Sequence, residues 1–451
     1  MKGAISRRRN ANSVPAGCGS AGQALVYLLG MLGALLAGVV VTFNATQLLA
    51  RKQRLLNAAD AAAFSVATWQ ARMLNSGAYV NRAIVANEAA IAQAVSLRSW
   101  LEYMQTATRN SGAITSAIPY VGQAMAALAR LAGGINATAQ PALGATEIVL
   151  STSNQELALA QRAFLRLGAL TTPDLARRAL NVNEPTASWS AGGELALRRQ
   201  QAQWQGFLVE DGGRRRERLK NVVGESLDEF TRARSYDVRP PLLGAVLRLR
   251  KRGGTELLGF DTWRGMDTAA LHARPLFGGF RETIPLGWGS AENGRATLVR
   301  GWHDGSWAVN PRTSSLARAG TVARRQYLGL PSSLALRDRA AGSDPRLRTV
   351  LRAQLPRQSL EFWQEIWPGA RLSTPGTSDA DAEPSLLRDR ILATSAAEVA
   401  FVRPIGRRDR QRERGSLFNP YWRARLASLT TGEQALLDGA DAIAGARGAS
   451  P

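Results

Sequence analysis

The chain has 451 residues and a hydrophobic fraction of 45%, which is enough for two to three folded domains and excludes wholesale disorder. The formal net charge is +22, and only four of the 57 basic residues are lysines. Such a surface attracts anionic lipid, acidic polysaccharide or nucleic acid. The basic residues are scattered without a recognisable binding module, so we expect no nucleic-acid partner. One cysteine, Cys18, excludes an intrachain disulfide and a cysteine-based metal site.

An apolar segment follows a basic N-terminal tail. No charged residue lies between Arg9 and Arg51. Within that window Ala24–Phe43 is nearly continuously apolar, and about 20 helical residues span the ~30 Å core of one bilayer. A buried helix of a soluble protein is the alternative. The excess of basic residues before the span predicts a cytoplasmic N-terminus. The run is longer than the core of a removable signal, so we expect a retained anchor.

Small residues recur on one face of this segment. Gly30, Ala34 and Gly38 are spaced by four residues and form a smooth stripe along a helix. Such stripes let a second helix approach closely in lipid, so we predict that they pack against a partner helix. The alternative is that small residues are simply common in an alanine-rich chain.

The segment after the anchor is predicted to be helical to about residue 170. A heptad-like apolar stripe without proline predicts that the membrane helix continues unbroken to about Ser76-Gly77. This stripe consists of Leu49, Leu56, Ala59, Ala63, Val66 and Met73, and we expect it to continue the packing on a partner helix outside the membrane. Further helices are predicted at about 83–108 and 155–167. Ala113–Ile135 could be a second span, but Pro119 and Arg130 favour an amphipathic or bundle helix.

The second half of the chain is richer in glycine, proline and tryptophan, which predicts a compact mixed domain. Residues 244–263 predict a β-hairpin with Gly253-Gly254 as its turn. Strands are also predicted at Arg295–Asn310 and Ala397–Pro404, a short helix at Leu360–Trp367 and a polar linker at Thr374–Ser385.

The predicted fold class is therefore α+β: an N-terminal transmembrane helix, long alanine-rich helices, and a mixed α/β extracytoplasmic domain. The expected divisions are a basic cytoplasmic tail (1–20), the anchor (21–45), a helical region (46–170), the mixed domain (171–430) and a C-terminal tail (431–451).

Motifs that carry chemistry are sparse. The chain has two histidines, His272 and His303, and no phosphate-binding glycine loop. His303 stands beside Asp304, but no G-x-S-x-G elbow precedes it, so a turn or strand histidine is favoured over a catalytic one. Gly212–Lys220 is a basic cluster that is either a solvated face or an anionic contact. We expect no enzyme activity, no metal, no cofactor and no small-molecule substrate.

A basic tail, an apolar span and then "LLNAADAAAFSVA" (Leu55–Ala67) resembles the N-terminal region of TadG-like proteins of the tight-adherence (Tad/Flp) pilus-assembly systems. The matching positions are Leu55, Asn57, Ala58, Ala59, Asp60, Ala61, Ala62 and Ala63. The stretches "PLGWGSA" (Pro285–Ala291), "AEVAFVRP" (Ala397–Pro404) and "SLFNPYWRARLA" (Ser416–Ala427) are similar to members that lack an adhesion domain.

The resemblance implies a single-pass protein of the bacterial inner membrane with the bulk of its chain periplasmic or extracellular. Two departures limit it. The metal loop of the von Willebrand factor A-type domain of larger members is not found, so metal-dependent adhesion is not implied. A prepilin-type cut after Gly22 would need glutamate where Tyr27 stands, so processing at Gly22 is not carried over.

The sequence thus predicts a non-catalytic, membrane-anchored structural or assembly component of a Tad-type (type IV-like, Flp) pilus or related secretion system. Its expected partners are the lipid bilayer and other pilus-assembly or pseudopilin-like membrane proteins. The alternative prediction is a membrane-tethered basic protein that binds an anionic envelope polymer.

Overall fold

The computed structural model describes residues 21–210, 213–241, 243–295, 306–332, 334–337, 345–356, 390–406, 408–411 and 413–448. The basic tail with Cys18, His303, and the helix and linker predicted at 360–367 and 374–385 lie outside these residues.

The helices of the described segments are α1 (Ala21–Thr115), α2 (Val121–Leu170), α3 (Thr172–Asn183), α4 (Ala191–Phe207), α5 (Arg214–Glu225), α6 (Glu229–Arg232), α7 (Ser306–Val309), α8 (Pro311–Gly320) and α9 (Thr431–Gly448). The strands are β1 (Ser188–Trp189), β2 (Leu208–Glu210), β3 (Tyr236–Val238), β4 (Leu247–Leu258), β5 (Thr262–Ala273), β6 (Arg281–Gly294), β7 (Val322–Arg324), β8 (Leu334–Leu336), β9 (Leu347–Pro356), β10 (Arg390–Phe401) and β11 (Trp422–Leu426). The predicted α+β class is confirmed.

Helix α1 is one continuous element of 95 residues, which corresponds to a length of about 140 Å. It passes through Ser76-Gly77, where the sequence suggested a possible end. Gly77 is buried there, and its carbonyl oxygen accepts a 2.8 Å hydrogen bond from Gln161 Nε2 of α2. The packing of the neighbouring helix thus stabilises a glycine that would be a weak point in an isolated helix.

The chain reverses direction between α1 and α2, at residues 116–120, with Pro119 in the turn and Tyr120 at φ 64°. The segment 113–135 straddles this turn, so the two parts of the possible second span belong to different helices. Helix α2 then returns along α1, as the buried Arg98–Glu147 ion pair at 3.1 Å and the Asn87–Asn154 hydrogen bond at 2.9 Å demonstrate.

A four-stranded antiparallel sheet has the order β1-β9-β10-β11. Strand β10 contains the residues predicted as a strand at 397–401. One face of the sheet packs on α1, and the other is covered by α4, where a Cβ on Gly193 would lie 2.2 Å from the carbonyl oxygen of Arg352. Residues 431–448, left as a tail by the sequence, form α9 beside α4. Its Asp438 and Asp441 accept hydrogen bonds from Arg352 at 2.6 and 3.0 Å.

The second, five-stranded sheet has the order β3-β4-β5-β6-β7. The predicted turn at Gly253-Gly254 is wrong, because β4 runs straight through both residues and pairs with β5 along its whole length. The turn lies at Gly259, whose φ of +57° suits glycine. Gly253 instead leaves room for the side chain of Asp267, since a Cβ on Gly253 would lie 2.2 Å from Asp267 Oδ1.

Two glycines of β6 let this sheet lie directly against α1. A Cβ on Gly289 would lie 2.2 Å from the carbonyl oxygen of Ser99, and one on Gly287 would lie 2.5 Å from Ala107 Cβ. The "PLGWGSA" stretch is therefore a helix-packing surface. The prediction of a strand at Arg295–Asn310 is wrong for the C-terminal part that the structure describes, because Ser306–Val309 form helix α7.

Candidate functional site: the two parts of helix α1

The first part of α1 exposes the apolar segment that the sequence predicts to cross a membrane. Among the described residues, one helix is long and apolar enough for this, and its most hydrophobic window is 0% buried. Leu25, Leu29 and Leu36 are each more than half exposed. Exposing such a surface to water is costly, because each large apolar side chain gains about 1.5–3 kcal/mol on burial. The length and composition of this segment are those expected of a single-pass membrane anchor.

The stripe of Gly30, Ala34 and Gly38 lies on this exposed segment. A Cβ built on Gly30 or Gly38 would meet nothing within 4 Å. The small residues are therefore not needed to fit any described part of this chain. Gly22 also lies in α1, one residue after its first described position.

The family-like motif lies where α1 enters the core. Five of its eight residues are completely buried at 0% exposure: Leu55, Ala58, Ala59, Ala62 and Ala63. They belong to the apolar cluster that joins α1 to β9 and β10, with Leu351 and Val399 as further members. The alanines have small side chains, so the sheet can approach the helix closely without voids.

The remaining motif residues face outward. Asn57 is exposed and accepts a 3.0 Å hydrogen bond from Gln53 Nε2, whereas Ala61 and Asp60 are half-buried. Asp60 makes no hydrogen bond and no ion pair with any residue in the described ranges. A half-buried carboxylate without a partner is unusual, because its charge is partly desolvated without compensation.

The heptad-like stripe requires a correction. It was expected to continue the membrane contact toward a partner helix outside the bilayer. Ala59, Ala63, Val66 and Met73 are instead 0% exposed and lie in the core of the chain itself. Leu49 alone of the stripe is strongly exposed, at 67%. The periodicity indicated a buried face correctly, but the four-stranded sheet covers it.

Polar side chains attach the second part of α1 to the five-stranded sheet. The carboxylate of Asp267 on β5 is completely buried and accepts a hydrogen bond from Ser99 Oγ at 2.6 Å. It also forms ion pairs with Arg234 at 2.9 Å and with Lys251 at 2.5 Å. Because all four groups are buried, removing the carboxylate would leave two cations unpaired in the interior.

A second buried acid, Glu88, lies nearer the middle of α1. Its carboxylate accepts hydrogen bonds from Trp263 Nε1 at 2.9 Å, from Tyr327 Oη at 2.8 Å and from Asn154 Nδ2 at 2.9 Å. Burial raises the pKa of Glu88 even though these bonds favour the charged form. The acid thereby connects α1 to α2, to β5 and to the segment after β7.

The sequence did not single out Ser99, Glu88 or Asp267. A signal existed in retrospect: polar residues at 88, 98, 99 and 102 interrupt the apolar face of α1 where it meets the glycines of β6. The β5 partners of Ser99 and Glu88, however, lie 168 and 175 residues further along the chain, and no local pattern links such distant positions.

The described histidine and the basic cluster, which raised the question of other functions, make contacts within the fold. His272 is 2% exposed, and its Nε2 lies 2.8 Å from Asn310 Oδ1. In the basic cluster, Arg216 donates to the carbonyl oxygen of Leu330 at 2.8 Å and lies over the ring of Phe260. In the described part of the chain, no three His, Cys, Asp or Glu side chains are grouped to hold a metal ion.

Comparison with known protein families gives a match in the first part of α1. Residues 22–70 fit the family model described as putative Flp pilus-assembly TadE/G-like. No curated protein and no solved structure matches the chain. The match begins in the exposed apolar part of α1 and ends inside the core, so it includes both the Gly30–Gly38 stripe and the Leu55–Ala63 motif. The resemblance predicted from that motif is thus confirmed over residues 22–70, and this segment of the chain is similar to Flp pilus-assembly proteins of the TadE/G type.

Proposed function

We propose that the chain is a non-catalytic, single-pass membrane protein that assembles or anchors a Tad-type pilus. The observation that carries the proposal is that the TadE/G-like match covers an exposed apolar helix and its entry into a folded core without a break. The anchor lies in the bacterial inner membrane, the N-terminus is cytoplasmic, and the two sheets are periplasmic or extracellular.

In this proposal α1 transmits the position of the membrane segment directly to the folded domain. A helix without a flexible linker fixes both the distance and the rotation between its two parts. Near the domain, Arg51 lies 3.8 Å from Glu184, and the completely buried Leu55 follows four residues later. A partner helix that packs on Gly30, Ala34 and Gly38 would therefore set the direction in which the domain faces.

Asp60 is a second proposed contact. It is half-buried and has no partner within the described chain, and it directly follows the buried Ala59. We expect a basic or hydrogen-bonding group of another pilus-assembly or pseudopilin-like membrane protein to pair with it. Such a pair would fix the register between the two proteins.

The rigid connection can be tested by insertion after Ala50, which precedes the first buried residue. Two added alanines rotate the membrane helix by about 200° relative to the domain. Seven added alanines return it to within about 20° of its original orientation. We expect the two-residue insertion to abolish surface piliation and the seven-residue insertion to preserve it. Equal piliation in both variants would refute a role for the relative rotation.

The role itself is tested by deleting the gene. The deletion strain should lose surface pili and adherence, and expression of the intact chain should restore both. Normal piliation in the deletion strain would refute the proposal.

A further inference from the structure

The end of the molecule that is farthest from the anchor carries exposed apolar side chains and several arginines. We name this region the distal tip: the β5–β6 turn (274–280) with its flanking strand ends, and the segment 239–250 that lies beside it. At the turn, Leu276 is 99% exposed and Phe277 is 92% exposed. Two adjacent large apolar side chains that are almost fully exposed are rare on a soluble surface and indicate an interaction site.

The neighbouring segment belongs to the same tip. The backbone N–H of Arg274 donates to the carbonyl oxygen of Val246 at 2.8 Å, which places the two segments side by side. Leu243 and Val246 are 50% and 48% exposed. Further apolar side chains at the same end belong to the α1–α2 turn and are also exposed: Ile114, Ile118, Tyr120 and Val121.

The charge of the tip is predominantly positive, and the acids at its border are Asp237, which lies 3.8 Å from Arg250, and Glu282. Residues 238–250 and 268–281 contain no aspartate or glutamate. They contain five arginines, of which Arg248 lies 3.8 Å from the ring centre of Phe280. Partial burial, followed by the charges of Arg239 and Arg250, lowers the pKa of Arg248, and Asp237 opposes this shift. The five are Arg239, Arg248, Arg250, Arg274 and Arg281.

Exposed apolar side chains beside several arginines suit one partner in particular, the surface of an anionic bilayer. Leucine and phenylalanine enter the boundary between headgroups and acyl chains, while arginines pair with headgroup phosphates. A soluble acidic polymer would use the arginines but would leave Leu276 and Phe277 in water. The apolar pair therefore favours lipid over polysaccharide.

The tip cannot reach the bilayer that holds the anchor. Asn110 Nδ2 of α1 donates to the carbonyl oxygen of Leu286 at 3.0 Å. Gly289 and Gly287 of β6 lie nearer the anchor, against Ser99 and Ala107, so the start of β6 points away from the anchor toward the tip. From Phe43 to Asn110 the helix rises about 100 Å, and a tilt of about 40° still leaves roughly 75 Å between the tip and that membrane.

We propose that the distal tip docks on the anionic surface of a second bilayer, with Leu276 and Phe277 inserted between its headgroups. The chain then connects two facing membranes, with α1 setting their separation. This inference rests on the proposed function only in that α1 must be anchored in the first bilayer.

The test uses the full chain inserted through α1 into nanodiscs of phosphatidylcholine. These are mixed with separate vesicles that contain about 30% phosphatidylglycerol, and co-flotation of nanodiscs with vesicles is measured. We expect binding that weakens with salt, and at least a tenfold loss in the double variant Leu276→Ser/Phe277→Ser. A matched control is Val182→Ser/Ile405→Ser, which removes two apolar side chains that are 82% and 78% exposed outside the tip and should bind normally.

Insertion into nanodiscs is measured first, by size-exclusion chromatography. This step tests the anchor independently of the tip. A chain that stays outside the discs refutes the anchor and the bridging of two membranes. Unchanged vesicle binding in the Leu276→Ser/Phe277→Ser variant, or an equal loss in the control variant, overturns docking by the tip. Binding to an acidic polysaccharide such as heparin without binding to vesicles would assign the tip to a polyanion instead.

Discussion

The two parts of α1 each carry a surface of small residues, but these surfaces differ in what covers them. In the exposed part, a Cβ on Gly30 or Gly38 would meet nothing within 4 Å. In the buried part, Ala59 and Ala63 lie against the four-stranded sheet at 0% exposure. Both are small-residue surfaces on one helix. A surface that the fold itself covers contributes to stability, and one that the fold leaves open is available for assembly.

The largest effect is expected where α1 is held by buried charge. Asp267→Asn removes the negative partner of Arg234 and Lys251, which are 5% and 2% exposed. Leaving buried cations unpaired costs about 3–5 kcal/mol, so the free energy of unfolding should fall by that amount in denaturant titrations. Glu210→Gln is the control, because its ion pair with Arg166 is exposed at 55% and 71% and is worth at most about 1 kcal/mol. Similar losses in both variants would contradict this account.

A somewhat smaller loss of stability is expected when a methyl group is added between α1 and β6. In Gly289→Ala the new Cβ would lie 2.2 Å from the carbonyl oxygen of Ser99 and 2.4 Å from the amide nitrogen of Tyr103. The backbones of helix and strand must separate, which costs about 1–3 kcal/mol or more. Gly38→Ala meets nothing within 4 Å and is the matched control. Thermal unfolding of both variants measures the difference, and an unchanged Gly289→Ala would mean that the contact is absent.

Acid should weaken the attachment of α9. Hydrogen bonds from Arg348, at 2.8 and 2.9 Å, lower the pKa of Glu433 to about 2, against an ordinary value of 4.5. A lowered pKa contributes stability above pH 4.5 that is lost progressively as the pH falls toward 2. We expect Glu433→Gln to reduce the dependence of the unfolding temperature on pH in that interval. An identical pH profile in the variant would contradict the assignment.

The smallest effect on stability, and a large one on assembly, is expected at Asp60. It has no partner among the described residues, so Asp60→Ala should change the free energy of unfolding by no more than about 0.5 kcal/mol. Piliation should nevertheless decrease, because the proposed contact with another protein is lost. A stable variant with normal piliation would show that the carboxylate is merely hydrated.

Part of this protein could be predicted from its sequence alone. The apolar span, the continuation of α1 beyond it, the α+β class and the TadE/G-like segment follow from local hydrophobicity, periodicity and a contiguous motif. Each is a property of neighbouring residues, and a helix or a span forms from such neighbours.

The tertiary structure decided what covers each surface. Gly253-Gly254 could be a turn or a strand, and only the position of Asp267 on the adjacent strand settles that it is a strand. The stripe from Ala59 to Met73 could face a partner or a core, and the four-stranded sheet, formed mainly from residues beyond 345, makes it a core. The physical reason is common to both cases: burial and ion pairing depend on residues that are far apart along the chain and adjacent only after folding.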